Sequence, residues 1–378
     1  MSTIGIDARF YGSIGKGLGR YTQKLIEHLE KTDNENEYFV FLRRENFEEY
    51  VPKNPNFQKV LANFQWYSFS EQLFFPWLLN SYRLDLMHFP HFNVPILYFR
   101  KFVITIHDLI LLHFPTKRAS TLSPLLYAFK FMAYRWVIFS AIWRSQKIIA
   151  VSQFTKNDIL SQYSIVKDKI DVTYEACENK LTNSDQNSEQ VLKKYGIIKP
   201  YLLYVGNAYP HKNLEKLIEE FGNVSEKITD LNLVLVGKED YFYGRLKKQV
   251  NDQGLTRIFF PGFVSDKDIK VVYAQAFQYV FPSLYEGFGL PPLEAMAEGV
   301  PVVCANATCL PEILGTSALF FEARKEGAMA EAILKVVDDE NLREELIAKG
   351  FAHVKKYSWE KMARETLEIY RKVKEMKS

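Results

Sequence analysis

The sequence predicts an α/β protein of two doubly wound, Rossmann-like domains, and three observations lead there. Short apolar runs alternate with helical patterns through both halves, as parallel strands buried on both faces and joined by crossover helices require. One polar stretch, Asn183-Ser-Asp-Gln-Asn-Ser-Glu-Gln190, interrupts that alternation near the middle. The chain has 378 residues, too many for one typical core, so two domains of roughly 180 residues each are expected.

In the first half the strand-like runs are 4–10, 38–42, 86–89, 102–107, 147–151 and 170–174, separated by helical stretches such as 18–30. The stretch 183–190 lacks apolar periodicity and suits a solvated hinge. Alternation then resumes, with strands at 201–205, 233–236, 258–260, 279–281, 301–304 and 318–321, each ending in a glycine or polar turn. Domains are therefore expected at 1–182 and 191–356, with a tail at 357–378. In that tail Trp359, Met362, Ala363, Leu367, Tyr370 and Val373 share one helical face behind a Ser358 N-cap. The face must cover a surface, either on the second domain or, by crossing back, on the first.

Composition narrows the function classes. A net charge of +3 gives no concentrated basic footprint, which argues against nucleic acid as a partner. Cys177, Cys304 and Cys309 have no paired metal spacing and read as buried thiols. No basic start followed by a long apolar stretch opens the chain, so no signal peptide is read and a cytoplasmic location is expected. Residues 124–143 are rich in aromatics, but Lys130 and Arg135 leave them short of the roughly 20 apolar residues of a spanning helix. That segment is either a buried domain helix or an interfacial one, with its aromatics among lipid headgroups and Lys130, Arg135 and Arg144 facing phosphates. Lys117 and Arg118 upstream keep peripheral contact at the inner membrane face open.

The most informative motif is Glu286-Gly-Phe-Gly-Leu-Pro-Pro-Leu-Glu294, at the end of a strand and the start of a helix. Two carboxylates, glycines that permit close backbone approach and a helix N-terminus suit a sugar joined to phosphates. An ordinary strand-turn-helix junction is the alternative. Other candidates follow strands too, where open α/β sheets place ligands. Gly12 to Gly19 form a glycine-rich turn with Lys16 and Arg20 nearby, either a phosphate-facing loop or a simple tight turn. His107 either donates to a sugar hydroxyl or is satisfied by a neighbouring carboxylate or carbonyl. The irregular spacing of His88, His91 and His113 argues against a metal site. Lys212, in Gly206-Asn-Ala-Tyr-Pro-His-Lys-Asn213, offers a point charge to a diphosphate, or is solvated surface. Ser265 or Asp266 caps a helix, or Asp266 accepts from a guanine edge, with Val264 backbone groups open to either base.

Taken together, Gly17-Leu-Gly-Arg-Tyr21, His107-Asp108, Val151-Ser-Gln-Phe154, 206–213, 262–266 and 286–294 resemble the family 4 glycosyltransferases, retaining enzymes of the GT-B fold. The match runs in order from Gly17 to the Trp359 helix. The resemblance implies two Rossmann-like domains facing a central cleft, with the nucleotide-sugar donor held mainly by the second. It assigns Glu286 to the donor sugar hydroxyls and Glu294 to the ribose, with the amides of Phe288, Gly289 and Leu290 facing sugar and phosphate. Lys212 corresponds to the diphosphate-binding lysine. Asn207 stands near where many relatives carry arginine, so one positive contact is either missing or supplied by His211 or Lys16. His107 corresponds to the histidine over the donor sugar, and the Gly17 loop to the one that closes toward phosphate and acceptor.

Retention without an evident second nucleophile points to same-face attack with a phosphate oxygen as base. No cofactor or metal is implied. The Tyr204 to Leu214 and Glu286 to Glu294 runs look most like bacterial mannosyltransferases of polysaccharide assembly. GDP-mannose is therefore the first donor expected and a UDP-hexose the second, with a glycan or lipid-linked acceptor. A nucleotide-sugar epimerase or phosphorylase, or a non-catalytic binding subunit of the same fold, remain the alternatives.

Overall fold

The computed structural model describes residues 1–115, 124–178 and 188–376. Lys117, Arg118 and the polar stretch 183–187 lie outside the described residues, as does the side chain of Lys16. In chain order the first half runs β1 (Thr3–Asp7), α1 (Lys16–Thr32), β2 (Glu37–Leu42), β3 (Phe57–Leu61), α2 (Phe69–Ser81), β4 (Leu86–Phe89), β5 (Phe102–Ile106), α3 (Ile110–His113), α4 (Pro124–Arg144), β6 (Lys147–Ala150), α5 (Gln153–Gln162) and β7 (Ile170–Val172). The second runs α6 (Ser188–Lys194), β8 (Tyr201–Val205), α7 (Leu214–Lys227), β9 (Asn232–Val236), α8 (Tyr241–Asp252), β10 (Ile258–Gly262), α9 (Asp266–Ala274), β11 (Gln278–Phe281), α10 (Leu290–Ala297), β12 (Val302–Ala305), α11 (Leu310–Leu314), β13 (Ala318–Phe321), α12 (Ala328–Asp338) and α13 (Glu340–Val354). Helix α14 (Trp359–Glu375) closes the described chain.

These elements fall into two compact units. Residues 1–109, 124–175 and 358–376 form one, and 110–115, 176–178 and 188–357 the other. Each contains a parallel sheet, in the order β3-β2-β1-β4-β5-β6-β7 and β10-β9-β8-β11-β12-β13. The central strands are apolar because helices cover both faces: β5, β6, β9, β11 and β12 are buried at every position.

Differences from the sequence reading have local causes. The run 4–10 stops at Asp7, whose carboxylate takes the backbone N–H of Arg9 at 3.3 Å and its guanidinium at 2.7 Å, turning the chain out of the sheet. Strands at 102–107, 147–151 and 170–174 likewise end one or two residues early. Edge strand β3 escaped notice because only Phe57 and Val60 are buried in it. Residues 188–190 open helix α6 rather than continue the linker.

Helix α14 belongs to the first unit, so the tail crosses back in sequence to cover that unit's sheet. Ser358 caps it through the Lys361 N–H, and the expected face from Trp359 to Val373 is buried. Each such apolar side chain contributes about 1.5–3 kcal/mol by leaving water. Beneath it, Tyr370 Oη lies 2.6 Å from His88 Nδ1, and His88 Nε2 lies 2.9 Å from Thr105 Oγ1. Tyr21 Oη of α1 reaches the same threonine at 3.1 Å.

Residues 124–144 form a helix that is buried along one side and exposed along the other. Among the described side chains Ile138, Ala141 and Ile142 enter the core fully, whereas Phe129, Met132, Trp136 and Trp143 are exposed.

Candidate active site

In the second sheet the strand order reverses between β8 and β11. Such a switch point opens a crevice at the carboxyl ends of the strands. Two loops flank it: residues 206–213 after β8 and 282–289 after β11.

The loops are tied by backbone. Leu284 N donates to His211 O at 2.7 Å, and Ser283 Oγ reaches the same carbonyl at 3.3 Å. Pro210 starts a single 3-10 turn that ends on Asn213 in the left-handed region. That turn delivers the Lys212 ammonium onto the Glu286 carboxylate, with the side chains only 12% and 11% exposed. The ammonium also lies 5.5 Å from the Phe281 ring centre. The Glu286 backbone N–H donates to Thr308 Oγ1 at 3.1 Å, and Thr308 itself is held at φ 52°. His211 is buried, and burial with adjacent Lys212 pushes its pKa down to about 4 while Glu286 opposes. It is therefore a neutral imidazole near pH 7 and supplies no positive charge in place of an arginine at Asn207. Asn207 uses its Oδ1 on the Tyr209 N–H at 3.3 Å.

Helix α10 follows directly. Gly289 is its N-cap at φ 95°, where a side chain would be strained and its Cβ would come within 2.9 Å of Leu310. Pro291 and Pro292 carry no N–H, so the amide donors at this end are those of Gly289 and Leu290. Phe288 is buried edge-on against Tyr357, and its carbonyl accepts from the Cys309 thiol at 3.2 Å. Burial and the Glu286 charge raise the Cys304 and Cys309 thiols well above their usual range, leaving them unreactive.

Glu294, one turn into α10, takes a bond from Tyr273 Oη at 3.2 Å. Tyr273 lies on α9, seven residues after Asp266 and so on nearly the same side of that helix. Ser265, not Asp266, caps α9 through Asp268 N–H; Asp266 is exposed and Val264 buried. The chain's one Asp-x-Asp triplet, Asp266-Lys267-Asp268, is this helix start, where Asp268 pairs with Lys194 at 2.7 Å and with Tyr195 at 2.9 Å.

The first unit presents the remaining candidates. His107 follows β5, with Nδ1 2.8 Å from Glu175 Oε1 and Nε2 3.0 Å from Pro90 O. A carbonyl only accepts, so Nε2 carries a proton. Burial lowers the His107 pKa, but the Glu175 contact and the charge of Asp108 outweigh it and raise the value. Both ring nitrogens thus lie within hydrogen-bond distance of oxygens of the protein itself. In the glycine-rich turn, a Cβ at Gly15 or Gly19 would collide with the carbonyls of Phe10 or Gly12, so those glycines serve close packing. Gly17 is exposed with nothing within 4 Å of a Cβ, so internal packing does not require glycine there.

Thr308, Tyr273 and Glu175, which orient Glu286, Glu294 and His107, were not singled out from sequence. Each comes from a distant segment and carries no local signal. His113 and Phe114, which group with the second unit, set their rings 4.9 and 6.1 Å from that of Tyr285, tilted and edge-on.

Residues 15–177 match the model for Glycosyltransferase Family 4, and 187–353 the model for Glycosyl transferases group 1. The chain is 29% identical to O-antigen chain mannosyltransferase B of Escherichia coli, covering 94% of this chain and 96% of that one. It is 28% identical to O-antigen chain mannosyltransferase RfbU of Salmonella typhimurium, over 72% and 70%. Among solved structures, sucrose-phosphate synthase from Thermosynechococcus elongatus superposes with a TM-score of 0.77 over 99% of both chains at 20% identity.

Proposed function

Because the chain belongs to the glycosyltransferases, with a Family 4 region followed by a group 1 region on two Rossmann-like units, we propose that it transfers mannose from GDP-mannose. The acceptor is a glycan or lipid-linked glycan, and the anomeric configuration is retained. The two mannosyltransferase relatives support the sugar. The observation that carries the site is the Lys212–Glu286 pair at the switch point, beside the start of α10.

Transfer builds positive charge on the anomeric carbon and negative charge on the departing phosphate. Groups aimed at the second charge lower the barrier because they need no rearrangement as it develops. Lys212 has three N–H donors and spends one on Glu286, so two remain for phosphate oxygens. The amides of Gly289 and Leu290 add the positive end of α10. Glu286, fixed by Lys212 and Thr308, accepts from hexose hydroxyls, and Glu294, fixed by Tyr273, from the ribose. Along α9, Asp266 lies about 10 Å from the Tyr273 level, the rise of seven helical residues, a span suited to a base beyond the ribose.

Thermal unfolding with GDP and with UDP tests the donor, since a ligand of the native state raises stability by mass action. GDP should raise the melting temperature more than UDP. Stabilisation by UDP alone would overturn the GDP-mannose assignment.

A further inference from the structure

Most of the exposed large apolar side chains described in the first unit lie on two helices and in a loop between them. On α4, Phe129, Met132, Trp136 and Trp143 are 60–66% exposed and form one outward stripe, about 21 Å long at the helical rise. On α2, Phe69, Leu73 and Trp77 recur at four-residue spacing and are 87%, 55% and 76% exposed. Between them, Leu97 and Phe99 are also exposed. Ile96 joins the three parts: its N–H donates to Gln72 on α2 at 2.9 Å, and its carbonyl accepts from Arg144 on α4 at 2.8 Å. Both helices belong to crossovers in the same direction along the sheet, β3 to β4 and β5 to β6, so right-handed connection puts them on one face.

A patch of this size on a soluble surface calls for a partner, and its charge indicates which. From residue 64 to 144 the sequence carries eight Lys or Arg against three acids. Of those acids, Glu71 is buried against Arg9, Asp85 accepts from Thr3 N–H, and Asp108 is half-buried. Arg83, Arg100, Lys130 and Arg135 are exposed. No helix among the described residues is long and apolar enough to cross a membrane. Aromatic side chains standing out beside cations, on helices that cannot span, match a bilayer interface.

We propose that the α2–α4 face docks on an anionic lipid bilayer, with Trp77, Phe99, Trp136 and Trp143 among the headgroups and the cations against lipid phosphates. The inference stands independently of the donor, and it would bring a lipid-linked acceptor to the same unit.

Co-sedimentation of the full chain with phosphatidylcholine vesicles, with and without phosphatidylglycerol, tests it. Binding is expected only with phosphatidylglycerol, weakening with salt and accompanied by a blue shift of tryptophan emission. The variants Trp136→Ser/Trp143→Ser and Lys130→Ala/Arg135→Ala should each lower the partition coefficient on the order of tenfold, with circular dichroism melts establishing that both remain folded. Failure of the folded wild type to bind phosphatidylglycerol vesicles, or equal binding by the tryptophan variant, would overturn it. So would a concentration-dependent dimer in lipid-free solution that the serine substitutions abolish, since the face would then be a contact between copies.

Discussion

Lys212 and Glu286, 74 residues apart in sequence, form an ion pair across the switch point of the second sheet, with about nine-tenths of each side chain buried. Removing one partner leaves the other desolvated and unpaired. Lys212→Ala should therefore cost roughly 3 kcal/mol of stability, while Lys212→Met/Glu286→Leu recovers part of the loss. Urea denaturation of the singles and the double measures the coupling, and a coupling near zero would contradict the pair.

Glu294 is bound by Tyr273 and assigned to the ribose, a group that does not change during reaction. Tyr273→Phe should raise KM for the donor with kcat nearly unchanged, the pattern of lost uniform binding. A fall in kcat at constant KM would instead place Glu294 at the reacting centre.

Buried histidines set opposing pH limbs. The folded pKa values of His88 and His211 are lowered to about 3 and about 4, mainly by burial. Below the unfolded value the unfolded chain takes up protons that the native state refuses, so stability falls as pH drops from 6.5. Each contributes about 1.4 kcal/mol per pH unit over that window. His107 acts in reverse: its folded pKa is raised, so the stabilisation from Glu175 is full below the unfolded value and lost as pH rises through the folded one. Melting curves from pH 5 to 9 should show a shallower acid limb in His88→Gln and a shallower alkaline limb in His107→Gln. Unchanged limbs in both variants would be inconsistent with these assignments.

The tail helix is tied to the first sheet through a buried polar contact as well as by packing. Tyr370→Phe strips His88 Nδ1 of its partner at a position with no exposure. The cost should be about 1–3 kcal/mol, measured by denaturation, and a neutral result would show that the His88 ring repairs itself elsewhere.

Much of this was legible in the sequence because the signals are local. Buried parallel strands read as apolar runs, and the Ser358 cap and tail face follow from helical spacing. Helix α2 also carried a cap signal, Ser68 with Glu71 three residues on, which the Ser68 oxygen uses to take the Glu71 N–H. It passed unremarked because the following residues are apolar all round. The outward aromatics of α4 were ambiguous for the same reason: composition does not tell which apolar face is covered. His107 illustrates the other limit. Its strand-end position was readable, but the Glu175 carboxylate that meets its Nδ1 comes 68 residues later.

Donor turnover tests the central claim most directly. GDP release from GDP-mannose is followed with and without a pool of mannose-terminated glycans, for wild type and Glu286→Ala, and the product anomer is read by NMR. The expected result is acceptor-dependent release, an α-linked product and a loss of about a hundredfold or more in the variant, the scale for removing a group that stabilises the transition state. Acceptor-independent conversion of the sugar, a β-linked product, or undiminished turnover in a folded Glu286→Ala protein would contradict it.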